Sequence, residues 1–444
     1  MEKKIDSNFP APAVAWSTLG ILFLAYVSSF VDRMIIGLLV EPIKTDFQIS
    51  DTQVSLLLGL SFAIFYCVVA LPIGRLVDIW SRKKIITVGI TLWSLMTALC
   101  GLAQNYAQLF LARVGVGVGE ASLAPAAYSI LADTFPPRKL GLAMGIFNMG
   151  TAVGAGLALI IGGTIISFVT GENEGTISLF GIEFLSGWQW VFILVGLPGL
   201  LIAMLTSLIR EPDRIIIQEE SSLLGSNSVP IQEVKSFFIK NIDFYLPHHL
   251  AVGCSNLALV GINSWVAVYF MRIHGWTLSE SGFNIGISLI LGGLLGLVVG
   301  GWLSDRFSSY FAGGKALFCL ICAVLAIPFS VLFASEEDAF NALVFFGLSY
   351  SFMVAPIAPA AAMMQEITPN RMRGTLSAFY LLVISLMGLA LGATIVALLN
   401  DIFFGGDSGI QQALLIAIPS FNLLAAILYF KLIKPYRATR EKVA

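Results

Sequence analysis

Twelve runs of mostly apolar residues, each close to the length a helix needs to cross a bilayer, divide this chain. They lie near 15–40, 53–77, 85–104, 107–132, 140–169, 188–209, 244–271, 281–304, 314–334, 339–364, 373–399 and 410–433. A helix rises about 1.5 Å per residue, so about 20 residues cross the hydrocarbon layer. Backbone amides inside that layer have no water to bond, so such runs fold as helices that satisfy themselves internally. The composition points the same way. With 57% hydrophobic and 12% charged residues among 444, and a mean hydropathy of +0.88, an ordinary soluble domain is excluded. The predicted fold class is an all-α membrane protein of twelve transmembrane helices.

The few charges are sorted by side. Of the 25 basic residues, 21 fall in the tails or in the connections that follow even-numbered runs, and only Lys44 and Arg272 fall on the other side. The opposite connections carry acids: Glu172, Glu174, Glu183, Glu336, Glu337, Asp338, Asp401 and Asp407. Positive charge stays cytoplasmic, so this pattern predicts both termini in the cytoplasm, with insertion through the first helix and no cleaved signal peptide. A net charge of −2 without a basic block gives no sign of nucleic-acid binding. The five cysteines, Cys67, Cys100, Cys254, Cys319 and Cys322, sit in apolar runs and read as packing residues.

The one long polar stretch divides the chain into a first bundle at 1–211, a cytoplasmic linker at 212–242 and a second bundle at 243–444. Within the linker, Ile231, Val234, Phe237 and Phe238 recur at helical spacing, predicting a short surface helix over Pro230 to Lys240. The halves repeat each other. Asp133, Pro136, Arg138 and Gly141 align with Glu366, Pro369, Arg371 and Gly374 at an offset of 233, and Gly74-Arg-Leu-Val-Asp78 echoes Gly301-Trp-Leu-Ser-Asp305 at 227. Parallel six-helix repeats characterise one class of secondary transporter, with the substrate site near the bilayer midplane.

Four ionisable groups fall inside the first bundle's apolar runs. Asp32 and Arg33 are consecutive, about 100° apart around the first helix. Arg113 and Glu120 stand two turns apart on one face of the fourth, separated by Gly115, Gly117 and Gly119. Each such charge costs roughly 2.5–3.5 kcal/mol at mid-membrane and therefore needs a partner or a wet cavity. The glycines either admit another backbone or leave room for a ligand. Two readings follow. The charges are fixed salt bridges between helices, or they are a switch in which Asp32 and Glu120 exchange protons while Arg33 or Arg113 attracts an anionic group.

The loop Gly74-Arg-Leu-Val-Asp78-Ile-Trp-Ser-Arg82-Lys-Lys resembles the major facilitator signature between helices two and three, departing from it at Ile79 and Ser81. Phe30-Val-Asp32-Arg33, Gly117-Val-Gly-Glu120-Ala-Ser, Gly187-Trp-Gln-Trp-Val-Phe-Ile-Leu-Val-Gly-Leu-Pro198-Gly and Arg272-Ile-His274-Gly275-Trp make the chain most similar to the bacterial spinster-like branch. The segment Phe135 to Gly150 also resembles the anion:cation symporters. The resemblance implies two six-helix bundles working by alternating access in the inner membrane of a bacterium as a monomer. Proton is the implied coupling ion, with no other cofactor and no metal. The implied cargo is an amphipathic lipid, a lysophospholipid or sphingoid phosphate, or alternatively a small organic anion carried with protons.

Helices one, four, seven and ten are implied to face the central cavity. Asn256, Asn263 and Trp265 in helix seven, and Tyr350 beside the Pro356/Pro359 pair in helix ten, then join Arg33 and Arg113 as candidate substrate contacts. Hydrogen bonds between helices would account for the two asparagines equally well. The resemblance also implies a cytoplasmic gate of Gly74, Asp78, Arg82, Arg138 and Arg371, of which Arg138 and Arg371 would serve orientation alone equally well. Enzyme chemistry finds no support: there is no His-Glu-x-x-His or Gly-x-Ser-x-Gly, and His248, His249 and His274 lie at the ends of one helix.

Overall fold

The computed structural model describes residues 9–170, 185–212, 231–311, 313–369, 372–405 and 408–443. These are helical almost throughout, and twelve helices are long and apolar enough to cross a membrane. The spans are Pro12–Leu38, Asp51–Ala70, Arg82–Cys100, Tyr106–Thr134, Leu142–Phe168, Gly187–Ser207, Ile242–His274, Leu278–Tyr310, Gly314–Ser335, Ala339–Ile367, Thr375–Phe404 and Gly409–Arg440. Each predicted run falls on one span. The linker helix forms at Ile231–Lys240, with Val234, Phe237 and Phe238 packed on the core around Tyr245, while its partners at 213–230 lie outside the described residues. All five cysteines are buried, and none is joined in a disulfide among the described residues.

Prolines set the breaks. The fourth span is interrupted between Glu120 and Leu123, and the tenth between Val354 and Ile357. A proline ring clashes with the carbonyl four residues earlier, which for Pro125 is Ala121 and for Pro359 is Ala355. Glu120 therefore ends a helical segment at mid-span. The second, eighth and eleventh spans contain wider π-helical turns, at Leu56–Leu60, at Leu295–Val299, and at both Leu386–Gly392 and Asn400–Phe404.

By packing, one unit comprises the described parts of Met1–Ile49, Ser61–Gly225 and Leu278–Gly286, and the other those of Ser50–Leu60, Ser226–Thr277 and Ile287–Ala444. These differ from the repeat boundary in two places. The first turns of the second span pack with the later unit, and those of the eighth with the earlier one. Glycine is the physical reason: a Cβ on Gly59 would stand 2.0 Å from the Leu389 carbonyl oxygen, and one on Gly286 would stand 2.6 Å from that of Gly156.

The repeat also shows in a charged clamp inside each unit, centred on a buried cation. Arg82, 1% exposed, pairs with Asp133 and with Glu211 at 3.2 Å, and its Nη2 donates to the Pro212 carbonyl at 2.7 Å. Lys315 stands 233 residues after Arg82 and pairs with Glu366, the counterpart of Asp133. Tyr436 donates to the same carboxylate at 2.5 Å, and Arg440 lies 3.7 Å from it.

Candidate functional site

The earlier unit gathers its intramembrane charges by helix periodicity. Ser29 and Arg33 are four residues apart, hence on one face of the first span, and both reach Glu120 on the fourth. Arg33 Nη2 donates to Glu120 Oε2 at 2.6 Å and Ser29 Oγ to the same oxygen at 2.8 Å. The Arg33 guanidinium lies over three rings, 4.4 Å from the centre of Phe62, 4.7 Å from Phe30 and 5.4 Å from Tyr66. Planar cations stack on aromatic faces, which holds the group in place where water is scarce. Its side chain keeps 12% of its surface exposed, whereas that of Glu120 keeps none. Tyr26, stacked on Phe147 at 4.3 Å, and Tyr128, bonded to Asn148 at 2.7 Å, extend this aromatic surface.

Asp32 and Arg113 make a second, deeper set. Arg113 is fully buried and donates through Nη1 to the backbone carbonyl of Asp32 at 3.0 Å. Both Asp32 carboxylate oxygens, and Nε and Nη2 of Arg113, are buried without a hydrogen-bond partner among the described residues. The Trp93 indole N–H lies near Asp32, short of a full hydrogen bond. Cys100 is also within electrostatic reach of both charged groups. Consecutive residues on helix one thus serve two faces, Arg33 toward Glu120 and Asp32 toward Arg113 and the third span.

Of the glycines between Arg113 and Glu120, Gly117 and Gly119 serve backbone approach, while Gly115 faces the Met96 side chain. A Cβ on Gly119 would stand 2.7 Å from the Trp93 amide nitrogen and 2.8 Å from the Gly89 carbonyl oxygen, and one on Gly117 would meet the Phe62 carbonyl oxygen at 2.8 Å. No larger residue fits without moving a helix. This close packing brings Phe62 under Arg33.

In the later unit the predicted substrate contacts are engaged between helices. Asn256 Nδ2 donates to the Ile384 carbonyl at 3.0 Å, and the Trp265 indole, fully buried, donates to that of Ala393 at 2.9 Å. Asn263 lies beside the Tyr350 hydroxyl, joining the seventh and tenth spans, and its Oδ1 is buried without a hydrogen bond among the described residues. At the 233 offset, Asp32, Arg113 and Glu120 correspond to Trp265, Phe346 and Met353, so the charged set belongs to the first repeat alone.

The family model described as the Major Facilitator Superfamily matches residues 22–393. The chain belongs to that superfamily. An MFS-type efflux pump of Mycolicibacterium smegmatis is 26% identical, over 96% of this chain and 94% of the relative. Protein spinster homolog 1 of Xenopus tropicalis is 28% identical, over 86% and 72%. A probable L-galactonate transporter of Escherichia coli is 23% identical, over 74% and 71%. Among solved structures, a bacterial homologue of the human lysosomal transporter spinster, in an inward-facing, unoccupied conformation, superposes with a TM-score of 0.77 at 27% identity, covering 97% of this chain and 98% of that one. The protein is a major facilitator transporter that is similar to the spinster proteins, with twelve helices among its described residues long and apolar enough to cross a membrane, and not an enzyme.

The superfamily's loop signature falls where the second and third spans meet. Gly74 is helical with open space around its Cα, Arg82 forms the clamp described above, and the side chains of Asp78 and Arg138 and all of Arg371 lie outside the described residues. Sequence reasoning missed Ser29, whose spacing of four from Arg33 was the available signal. It also missed Lys315, which the 233 offset from Arg82 identifies. Asp51 and Arg272 were missed as partners: Arg272 binds both Asp51 carboxylate oxygens, at 2.7 and 2.9 Å, with both side chains buried. Arg272 was the visible clue, a basic residue on the acidic side.

Proposed function

We propose that this transporter works by alternating access coupled to protons and moves an amphipathic, lipid-like substrate such as a lysophospholipid or sphingoid phosphate, or a related hydrophobic compound. The observation that carries this reading is the Arg33–Glu120 pair, in which a partly exposed guanidinium on an aromatic bed is held by a buried carboxylate. A protonated Glu120 releases Arg33, which then takes the anionic headgroup. An ionised Glu120 reclaims it. Proton and anion thus bind together because both act on one guanidinium, and a buried charge left without a partner is costly. Asp32, buried with Arg113, is the second protonation site. Arg113 holds the first and fourth spans and acts on substrate through that geometry. Asn256, Asn263, Trp265 and Tyr350 shape the later unit's contribution, and Gly74, Asp78, Arg82, Arg138 and Arg371 serve the cytoplasmic gate. The protein sits as a monomer in the inner membrane of a bacterium with both termini cytoplasmic, as the sorted basic residues favour.

The likeness to the L-galactonate transporter favours a second reading, a small organic anion whose carboxylate replaces that of Glu120 on Arg33. Purified protein in liposomes separates the two. With an imposed pH gradient, pH-dependent movement of a labelled lysophospholipid, with none of a sugar acid, supports the first reading, and the reverse supports the second. Movement of neither at any pH gradient contradicts both.

A further inference from the structure

The two oxygens of the Glu120 carboxylate have unequal surroundings. Oε2 accepts from Arg33 Nη2 at 2.6 Å and from Ser29 Oγ at 2.8 Å, while Oε1 is buried with no hydrogen bond among the described residues. A buried acceptor left bare is costly, so placing both donors on one oxygen is not what stability alone would select. Ser29 is itself buried, one turn before Arg33 on the first span. The titratable and charged groups within electrostatic reach of Glu120 are Tyr26, Asp32 and Arg33 on the first span, Tyr66 on the second and Arg113 on its own. Among the described residues, only Arg33 of these bonds to it.

The two donors differ in what they can do next. A guanidinium has N–H groups and nothing to accept with, whereas a serine hydroxyl donates one hydrogen and accepts through two lone pairs. A neutral carboxyl group needs an acceptor for its O–H. On Oε1 that hydrogen would face no partner among the described residues, which leaves a buried donor unpaired. On Oε2 it meets the Ser29 oxygen once the hydroxyl turns, and it takes the place that the Arg33 N–H held. The Ser29 hydrogen is then free for the carbonyl four residues earlier, that of Ala25, a bond that serines inside helices commonly make.

We infer that Ser29 directs the coupling proton to Oε2, the oxygen that Arg33 occupies, and so makes proton binding and release of Arg33 a single exchange. The inference rests on the reading of Glu120 as a proton carrier. In the step, an O–H bond forms between Oε2 and a proton from the aqueous phase, the Arg33 hydrogen bond to that oxygen breaks, and Ser29 changes from donor to acceptor without leaving. A proton on Oε1 would instead leave Arg33 in place, and the protein would take up protons without freeing its cation for cargo. Ser29 is thus a positioning residue, which acts on cargo only through Glu120 and Arg33.

Infrared difference spectra of the full-length protein in lipid nanodiscs, acid minus neutral, test this without a ligand. The carbonyl band of the neutral acid, identified by its loss in Glu120→Gln, should move to higher wavenumber in Ser29→Ala, where the O–H has no acceptor. It should stay in place in Ser29→Thr, which keeps the hydroxyl. Binding then reads the coupling, with whichever probe the liposome assay moves, the labelled lysophospholipid or the sugar acid. One linked proton changes Kd by up to about tenfold per pH unit, and Ser29→Ala should cut that to about threefold or less while Ser29→Thr keeps it. A merely structural serine would weaken binding with the pH slope unchanged. That result, or a band that Ser29→Ala leaves unmoved, would overturn the inference. A wild-type band absent altogether would mean that Glu120 does not titrate, and the proposed function would fall together with the inference. Should Ser29→Ala fail to fold, Ser29→Cys, whose thiol is a weak donor and acceptor, is judged by the same outcomes.

Discussion

Arg33 and Glu120 are 87 residues apart in sequence and 2.6 Å apart in space, and they differ in access, the guanidinium partly exposed and the carboxylate sealed. The sealed partner can hold the exposed one without itself meeting cargo. Beside it, Asp32 and Arg113 are packed against the third span, joined through backbone instead of a carboxylate pair. One helix thus supplies a partly exposed contact and a buried one from adjacent residues.

If the aromatic bed matters to binding, charge alone will not replace Arg33. Lysine keeps the charge and loses the planar stack over Phe62, a contact worth roughly 0.5–2 kcal/mol. Arg33→Lys should therefore raise the apparent KM for transport about two- to thirtyfold. An unchanged KM would place the binding cation elsewhere.

The two clamps should differ in strength. Removing buried Arg82 leaves Asp133 and Glu211 without their shared cation, and Arg82→Ala should cost about 3 kcal/mol of stability. Lys315→Ala should cost less than about 1 kcal/mol, since its partner Glu366 is 30% exposed and also bonds Tyr436. Denaturant titration of the purified protein in detergent measures both, and equal costs would contradict the ranking.

Glu211 gives the first clamp a pH signature. Burial raises its pKa, but hydrogen bonds from Ser81 and Arg82 outweigh that and hold it below the usual 4.5. A depressed folded-state pKa contributes stability above the unfolded value, lost as pH falls through the folded one. The stability gap between wild type and Glu211→Gln should be constant above about pH 5.5 and narrow as pH falls through and below 4.5. A gap that widens with acid would refute the assignment.

Glycine positions separate packing from tolerance. Gly119→Ala places a Cβ against two backbone atoms and should cost about 1–3 kcal/mol. Gly74→Ala meets nothing within 4 Å and should stabilise its helix by roughly 0.5–1 kcal/mol. Thermal unfolding in detergent orders the two, and equal effects would contradict the packing.

The twelve spans were legible because hydrocarbon permits few alternatives to an apolar helix, and the repeat because Asp133 and Glu366 keep their spacing from proline, arginine and glycine. Arg33 and Glu120 were legible as charges in apolar runs. Their pairing was not, since periodicity orients side chains around one helix and says nothing of which neighbour arrives. The same limit hid Asp51, which lies in the first turn of the second span and faces Arg272, 221 residues away. Trp265 and Asn256 were polar candidates whose partners are carbonyls of a distant helix, again set by tertiary packing.

The most direct test of the coupling is proton movement in liposomes holding an interior pH dye, followed as substrate is added to wild type and to Glu120→Gln. The account predicts substrate-dependent proton flux in wild type and its loss in Glu120→Gln, which should still exchange labelled for unlabelled substrate across the membrane. Substrate-dependent proton flux undiminished in Glu120→Gln would contradict it.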